Sequence, residues 1–99
     1  MVCSGQLGLE AGKLVEGGIA PQVTRAIANI DGLLRAEGAS LTSVVKTTVF
    51  LADIGDFATM NEAYVAAFGN HRPARSAFAV AALPLGAAVE IEAWAWMGA

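Results

Sequence analysis

Two segments with helical periodicity alternate with strand-forming runs along this chain. Apolar residues recur every three or four positions after Pro21, which predicts a helix that ends near Gly38. The same spacing over 57–68 predicts a second helix, ended by Gly69. Residues 44–52, between the two helices, are rich in β-branched side chains and predict a strand.

Three further runs, 2–9, 75–82 and 88–97, also predict strands. The predicted order is therefore β-α-β-α-β-β, an α+β fold with one mixed sheet and both helices on one face. Turn residues at 83–86 predict that the last two strands form an antiparallel hairpin. The polar, glycine-punctuated stretch 10–18 is expected to be a connection.

Gly5 and Gly8 lie inside the first predicted strand. Glycine inside a strand marks a bulge, or a place where another group approaches the backbone closely. The sequence therefore predicts one of these two features in the first strand.

The chain is more apolar than a monomeric domain of its size. Its 99 residues predict one domain over 1–99, and 56% of them are hydrophobic while only 15% are charged. Ordinary soluble domains carry roughly 25% charged residues. Because small domains leave much surface in water, this composition predicts self-association through an apolar patch. A membrane span is not predicted, since the longest charge-free run, 76–89, has 14 residues and contains Pro84.

The charge of the chain argues against nucleic acid as a partner. The net charge is −3, the pI is about 4.9, and the six Lys and Arg residues are scattered. A small anionic substrate needs only one well-placed cation, so it is compatible with this charge. The single cysteine, Cys3, cannot form an internal disulfide, which favours a reducing, cytoplasmic setting.

Arg75 is the strongest candidate for a functional residue. It follows Pro73 and Ala74 at a predicted loop-to-strand junction. Its guanidinium offers a rigid fork of donors that suits a carboxylate. The alternate strand positions beyond it, Ala77 and Ala79, are small and leave room beside the guanidinium. An ordinary surface arginine, or an arginine in an ion pair, is the alternative.

Glu90 and Glu92 share one side of the last predicted strand with Trp94 and Trp96. A carboxylate beside apolar surface can act as an acid or a base. A solvated edge face is the alternative for the glutamates. The tryptophans are expected at an interface or in the core.

The predicted hairpin separates the two candidate residues. It pairs Arg75 near Ala95 and leaves Glu90 about five residues away, roughly 15–17 Å along the strands. The two side chains cannot meet within one subunit at that distance. If both line one pocket, that pocket is built between chains.

No other sequence pattern competes with this pair. The only histidine, His71, is expected in a loop rather than as a catalytic base. No Cys and His cluster has metal-ligand spacing, and neither a P-loop nor a GxGxxG motif occurs. Ser4 and Ser76 lack a histidine relay, so a hydrolase triad is not supported.

Five stretches of the chain resemble, in order, the YjgF/RidA family, also called L-PSP endoribonucleases. They are Ser-Gly-Gln at 4–6, Val-Val-Lys-Thr-Thr-Val-Phe-Leu at 44–51, Met-Asn-Glu-Ala-Tyr at 60–64, Pro-Ala-Arg-Ser at 73–76, and Leu-Pro at 83–84 running into Val-Glu-Ile-Glu-Ala at 89–93. These stretches cover nearly the whole chain. The Pro-Ala-Arg-Ser segment followed by the Glu-Ile-Glu strand is highly specific in combination.

The resemblance implies a chorismate-mutase-like fold and a homotrimer whose sheets form a central barrel with three clefts between subunits. It implies hydrolysis of enamines and imines released by pyridoxal-phosphate enzymes, such as 2-aminoacrylate and 2-iminobutanoate, to 2-oxo acids and ammonia. It implies no metal and no cofactor. The implied partners are small carboxylates, not nucleic acid or membrane.

The same resemblance assigns roles residue by residue. Arg75 is similar to the arginine that clamps the substrate carboxylate, and Glu90 to the glutamate that positions or activates the attacking water. Ser4 and Gly5 match the segment that lines the cleft. Ala77 stands where many members have cysteine and matches a main-chain contact with the ligand, which such a change would preserve.

The resemblance also implies that Phe57 and Asn61, on the second helix, border the neighbouring cleft. The chain starts at what resembles the family's second strand, so the fold is expected to lack the first strand and a pocket tyrosine. Two alternatives to a deaminase follow: a non-catalytic trimer that binds 2-oxo acids or similar carboxylates, and a holdase-like interaction protein. Ribonuclease activity fits poorly with an acidic chain that has one histidine.

Overall fold

Two helices cover one face of a four-stranded sheet in the computed structural model, which describes residues 1–98. Both predicted helices and all four predicted sheet strands are present, and the predicted α+β fold is confirmed. The elements are, in chain order, β1 (Val2–Leu7), β2 (Leu9–Glu10), β3 (Lys13–Leu14), α1 (Ile19–Ala36), β4 (Val44–Leu51), α2 (Phe57–Phe68), β5 (Ala74–Ala79) and β6 (Val89–Ala95).

The main sheet has the order β1-β6-β4-β5. β6 is antiparallel to both β1 and β4, whereas β5 is parallel to β4, so the sheet is mixed as predicted. The predicted hairpin between the last two strands is wrong, because β4 lies between them. The reason is burial: Val89, Ile91 and Ala93 of β6 are fully buried, and a central strand buries them better than an edge strand does. Helix α2 meanwhile returns the chain to the free edge of β4.

The core lies between the sheet and the helices. Helix α1 presents its periodic apolar face to β1 and β6, and Ile27, Ile30 and Leu34 are at most 1% exposed. Burying each of these side chains contributes about 1.5–3 kcal/mol. The predicted stop signals are confirmed, since Gly38 and Gly69 follow the helices with φ of +79° and +64°, a conformation that favours glycine.

The other face of the sheet carries no helix, and it is called the open face below. Large apolar side chains lie exposed on it, including Phe78 at 46% and Trp94 at 52%. Trp94 and Trp96 were expected at an interface or in the core. Both are exposed, which excludes the core of this chain, and the interface stays a prediction. The view of this region as a sheet edge is also wrong, because β6 has a strand on each side.

The two glycines of the predicted first strand each show one of the expected features, although β1 ends at Leu7 and Gly8 follows it. The pairing with β6 shifts register between Cys3 and Gln6, which is a bulge that contains Gly5. A Cβ on Gly8 would lie 2.6 Å from the Cα of Gln22, so α1 approaches the backbone closely there. The expected connection 10–18 contains the β2–β3 hairpin, whose strands of two residues are too short to show an alternating pattern.

No helix within residues 1–98 is both long enough and apolar enough to cross a membrane.

Candidate active site

The seven predicted site residues fall into two groups on opposite faces of the sheet. The arginine half-site consists of Arg75, Phe57, Asn61 and Ala77. The glutamate half-site consists of Glu90, Ser4 and Gly5. Each group is described separately below, because the register of the sheet keeps them apart.

Arg75 extends from the edge strand β5 towards helix α2. Its Nη1 donates a hydrogen bond to Oδ1 of Asn61 at 2.7 Å. Its Cζ lies 5.4 Å from the ring centroid of Phe57 and 4.8 Å from that of Tyr64. Only one of the five guanidinium N–H donors is used by Asn61, so the fork retains donors for a ligand.

The positive charge of Arg75 has no carboxylate partner among residues 1–98. The only salt bridge in that part of the chain joins Arg35 to Asp31 on α1. Arg75 therefore forms no ion pair within residues 1–98, which excludes that alternative for this part of the chain. A partly buried guanidinium held by an amide and two aromatic rings is available to bind an external anion.

Helix α2 supplies all three side chains that contact the guanidinium. Phe57, Asn61 and Tyr64 stand at positions i, i+4 and i+7, which lie on one helix face. Tyr64 was not among the predicted site residues, because its periodicity marked it as a core residue. That same spacing from Phe57 and Asn61 was the signal that could have placed it beside them.

Tyr64 is a core residue with a polar end. Its side chain is 3% exposed, and its hydroxyl lies 2.7 Å from Oγ1 of the fully buried Thr47. Burial raises the pKa of the Tyr64 phenol above its usual value, more than the Thr47 hydrogen bond and the nearby Arg75 charge lower it. The Tyr64 phenol beside Arg75 therefore keeps its proton and is neutral.

The backbone of Ala77 faces outwards at the edge of the sheet. The N–H of Val80 donates to the carbonyl of Leu51, so the even-numbered residues of this segment turn their backbone towards β4. Because alternate residues of a strand point their N–H and C=O groups in opposite directions, Arg75 and Ala77 turn theirs away from β4. The edge thus offers the Ala77 N–H as a donor on the same strand as the guanidinium.

Glu90 lies on the open face, folded over the bulge of β1. A Cβ on Gly5 would collide with Oε2 and Cδ of the Glu90 carboxylate. Only a glycine leaves room for the carboxylate in this position. Ser4 precedes Gly5 in the bulge and is exposed. No residue of 1–98 donates a hydrogen bond to the Glu90 carboxylate in this arrangement.

The register of the sheet separates the half-sites within one chain. Arg75 pairs with Thr47, which pairs in turn with Ala93, so the predicted pairing of Arg75 near Ala95 is wrong. Glu90 lies three residues beyond Ala93 and two strands from β5. These offsets place the two Cα atoms roughly 14 Å apart, from about 3.3 Å per residue and about 4.8 Å per strand. The side chains also point to opposite faces, so one small ligand cannot touch both.

His71, Asp53 and Cys3 have structural contacts and do not contribute to either half-site. His71 lies in a loop, as expected, with Nε2 at 2.7 Å from the Val44 carbonyl oxygen. Asp53 accepts a hydrogen bond from the Gly55 N–H at 2.8 Å just before α2. Cys3 is buried, and burial raises the pKa of its thiol. Within residues 1–98, no three His, Cys, Asp or Glu side chains are grouped so as to hold a metal ion.

The mixed sheet of order β1-β6-β4-β5 with two helices on one face is a chorismate-mutase-like α+β fold. The sequence profile of the family described as Endoribonuclease L-PSP matches residues 1–97. The chain belongs to this family, which confirms the resemblance to YjgF/RidA proteins.

Individual relatives agree with that assignment. The 2-iminobutanoate/2-iminopropanoate deaminase of Rattus norvegicus is 50% identical over 97 residues, which span 96% of this chain and 71% of that protein. The crystal structure of RidA from the Antarctic bacterium Psychrobacter sp. matches with a TM-score of 0.89 at 45% identity, over 95% of this chain and 77% of that one. The structure of the E. coli YjgF gene product matches with a TM-score of 0.92 at 37% identity, over 98% and 80% of the two chains.

Proposed function

We propose that this protein hydrolyses small 2-imino acids and their enamine tautomers, such as 2-iminobutanoate and 2-aminoacrylate, to 2-oxo acids and ammonia. The observation that carries the proposal is the uncompensated guanidinium of Arg75, held by Asn61 and aromatic rings at the sheet edge. Relatives at 50% identity are named for deamination of such imines, which supports the same chemistry here.

The proposed reaction needs one anion clamp and one proton acceptor. Arg75 binds the substrate carboxylate, and the outward N–H of Ala77 donates to a second polar atom of the ligand. Water adds to the imine carbon while Glu90 accepts one of its protons and passes it to the imine nitrogen, which gives a neutral carbinolamine. Glu90 then takes the hydroxyl proton of the carbinolamine and delivers it to the amino nitrogen. The C–N bond breaks, ammonia leaves, the C–O bond becomes a carbonyl, and the carboxylate is regenerated.

The proposed cleft lies between two copies of the chain. Arg75 and Glu90 point to opposite faces of one sheet, so a substrate that uses both takes them from different subunits. The apolar open face, with Phe78 and Trp94 exposed, supports association of identical chains, and the homotrimer of the family resemblance is the proposed assembly. The free, buried Cys3 supports a reducing, cytoplasmic setting.

The test measures whether the protein hydrolyses 2-iminobutanoate faster than the imine hydrolyses spontaneously. The imine is released in situ by an amino acid oxidase, and formation of 2-oxobutyrate and ammonia is followed with and without the protein. Acceleration by the wild-type chain, together with its loss in Arg75→Ala and not in Arg35→Ala, is the expected result. Arg35 is the matched control, because it is an arginine in an exposed ion pair on α1.

One observation favours a second candidate, a non-catalytic 2-oxo acid binder. The arginine half-site is built within a single chain, whereas the Glu90 carboxylate has no fixed partner among residues 1–98. Binding of 2-oxobutyrate without any acceleration of imine loss would select this binder over the deaminase.

A further inference from the structure

The guanidinium of Arg75 requires an external support for its orientation. An arginine side chain loses rotamer entropy when it is fixed, and an edge strand alone does not fix it. The hydrogen bond to Asn61 holds Nη1 of Arg75, but the guanidinium can still rotate about that contact. The aromatic contacts restrict this rotation, because a cation is attracted to the face of a ring.

The two rings beside Arg75 differ in rigidity. Phe57 is 37% exposed at the start of α2, whereas Tyr64 is 3% exposed in the middle of the helix. The Tyr64 ring is also the closer of the two to the guanidinium carbon, at 4.8 Å. A cation–π contact is stronger where water is excluded, so Tyr64 is the stronger support.

Tyr64 is itself fixed by the strand next to Arg75. Its hydroxyl is 2.7 Å from the Thr47 Oγ1, and Thr47 is the residue directly opposite Arg75 in the β4–β5 pairing. The residue that lies beside Arg75 in the sheet therefore also holds the ring next to the Arg75 side chain. Since Thr47 is fully buried, this hydrogen bond is shielded from water.

We infer that Tyr64, fixed by Thr47, is a positioning residue that aims the Arg75 guanidinium at the substrate carboxylate. The inference rests on the proposed function only in taking Arg75 as the carboxylate clamp. Tyr64 touches no substrate and takes no part in proton transfer. Its effect is therefore expected on carboxylate binding, in Kd and KM, and not on kcat.

The first test compares Tyr64→Leu with wild type. Removing the ring raises the Kd for 2-oxobutyrate, measured by calorimetry, roughly threefold to thirtyfold. KM for 2-iminobutanoate rises by a similar factor, while kcat stays within about twofold. A Tyr64→Leu protein with a lower Tm but an unchanged Kd would show a packing role only and overturn the inference.

If Tyr64→Leu does not fold, a second pair of variants separates the effect on protein stability from the effect on the orientation of Arg75. Tyr64→Phe keeps the ring but leaves the buried Thr47 hydroxyl without its hydrogen-bond partner, which lowers Tm. The double variant Tyr64→Phe with Thr47→Val removes both polar groups, and its Tm recovers towards wild type. We expect its Kd to stay raised about twofold to fivefold, since the hydrogen bond to Thr47 no longer fixes the position of the ring over Arg75. A Kd restored to the wild-type value would contradict the inference.

A measurement without ligand separates this inference from the proposed function. The Nε–H order parameter of Arg75, from NMR relaxation, reports how rigidly the guanidinium is held. It is expected to fall in Tyr64→Leu, while the Arg35 signal in the same spectrum stays unchanged. An unaltered Arg75 order parameter would overturn the inference, whether or not the wild-type protein hydrolyses imines.

Discussion

The two faces of the sheet treat their charged residues differently. On the helix-covered face, Arg75 is held by Asn61, Phe57 and Tyr64, all supplied by one helix of the same chain. On the open face, the Glu90 carboxylate lies over Gly5, and no residue of 1–98 donates a hydrogen bond to it. The helix-covered face thus holds the Arg75 guanidinium in place, whereas the Glu90 carboxylate on the open face has no hydrogen-bond donor from residues 1–98.

The contrast follows from what covers each face. A helix brings polar and aromatic side chains to a sheet edge at fixed i, i+4 and i+7 positions, so the arginine half-site is complete when α2 docks. The open face has exposed apolar residues instead, and another copy of the chain is its proposed cover. In this view binding is encoded within one chain, and catalysis arises on assembly.

The largest expected effect comes from removing the clamp. Arg75→Ala should lower kcat/KM for 2-iminobutanoate by about a thousandfold, because a desolvated carboxylate loses its charged partner. Circular dichroism and Tm should match wild type, since Arg75 lies at the sheet edge. Activity retained at more than a tenth of wild type would mean that the anion is held elsewhere.

Removing the proton acceptor should leave binding intact. Glu90→Gln keeps the shape of the side chain, and kcat is expected to fall about a hundredfold while the Kd for 2-oxobutyrate changes less than about threefold. Glu92→Gln is the matched control, because Glu92 follows on the same face of β6. Equal losses of kcat in the two variants would point to a general charge effect of the open face.

An internal carboxylate should occupy the clamp. Asn61→Asp is nearly isosteric, and it puts a negative charge where Oδ1 now accepts from Arg75 at 2.7 Å. The Kd for 2-oxobutyrate is expected to rise about thirtyfold, whereas Asn61→Ala should raise it less than about tenfold. If Asn61→Asp binds 2-oxobutyrate as tightly as wild type, the charge of Arg75 is not what attracts the ligand.

A smaller effect is expected where the Glu90 side chain is crowded. Gly5→Ala places a methyl group into the flexible end of Glu90, so the carboxylate moves while the fold is kept. kcat should fall about tenfold with an unchanged Kd for 2-oxobutyrate. Gly32→Ala on α1 is the control, because a Cβ there meets nothing within 4 Å. A normal kcat in Gly5→Ala would show that this position of Glu90 is not needed.

Local sequence signals predicted the elements and their ends well. Helix α2 has the predicted bounds, 57–68, because an amphipathic repeat spans it and Gly69 follows its last residue. Gly5 predicted either a bulge or a close approach for the same kind of local reason, and the structure has a bulge there.

Non-local pairing was the part that the sequence did not determine. A turn at 83–86 is compatible both with a hairpin and with a chain that passes over β4, and only the burial of β6 between two neighbours distinguishes them. The separation of Arg75 from Glu90 was expected, but its cause is the central β4 and the opposite orientation of the side chains. The support from Tyr64 depends on tertiary packing against Thr47, which periodicity does not describe.

Subunit mixing tests most directly whether one cleft takes Arg75 and Glu90 from different chains. Arg75→Ala and Glu90→Gln chains, each nearly inactive alone, are co-expressed in equal amounts and the mixed oligomers are assayed for imine hydrolysis. If each cleft takes its arginine from one chain and its glutamate from the next, about a quarter of the clefts contain both, and about a quarter of wild-type activity returns. Mixed oligomers no more active than either parent would show that no cleft combines the two residues from neighbouring chains.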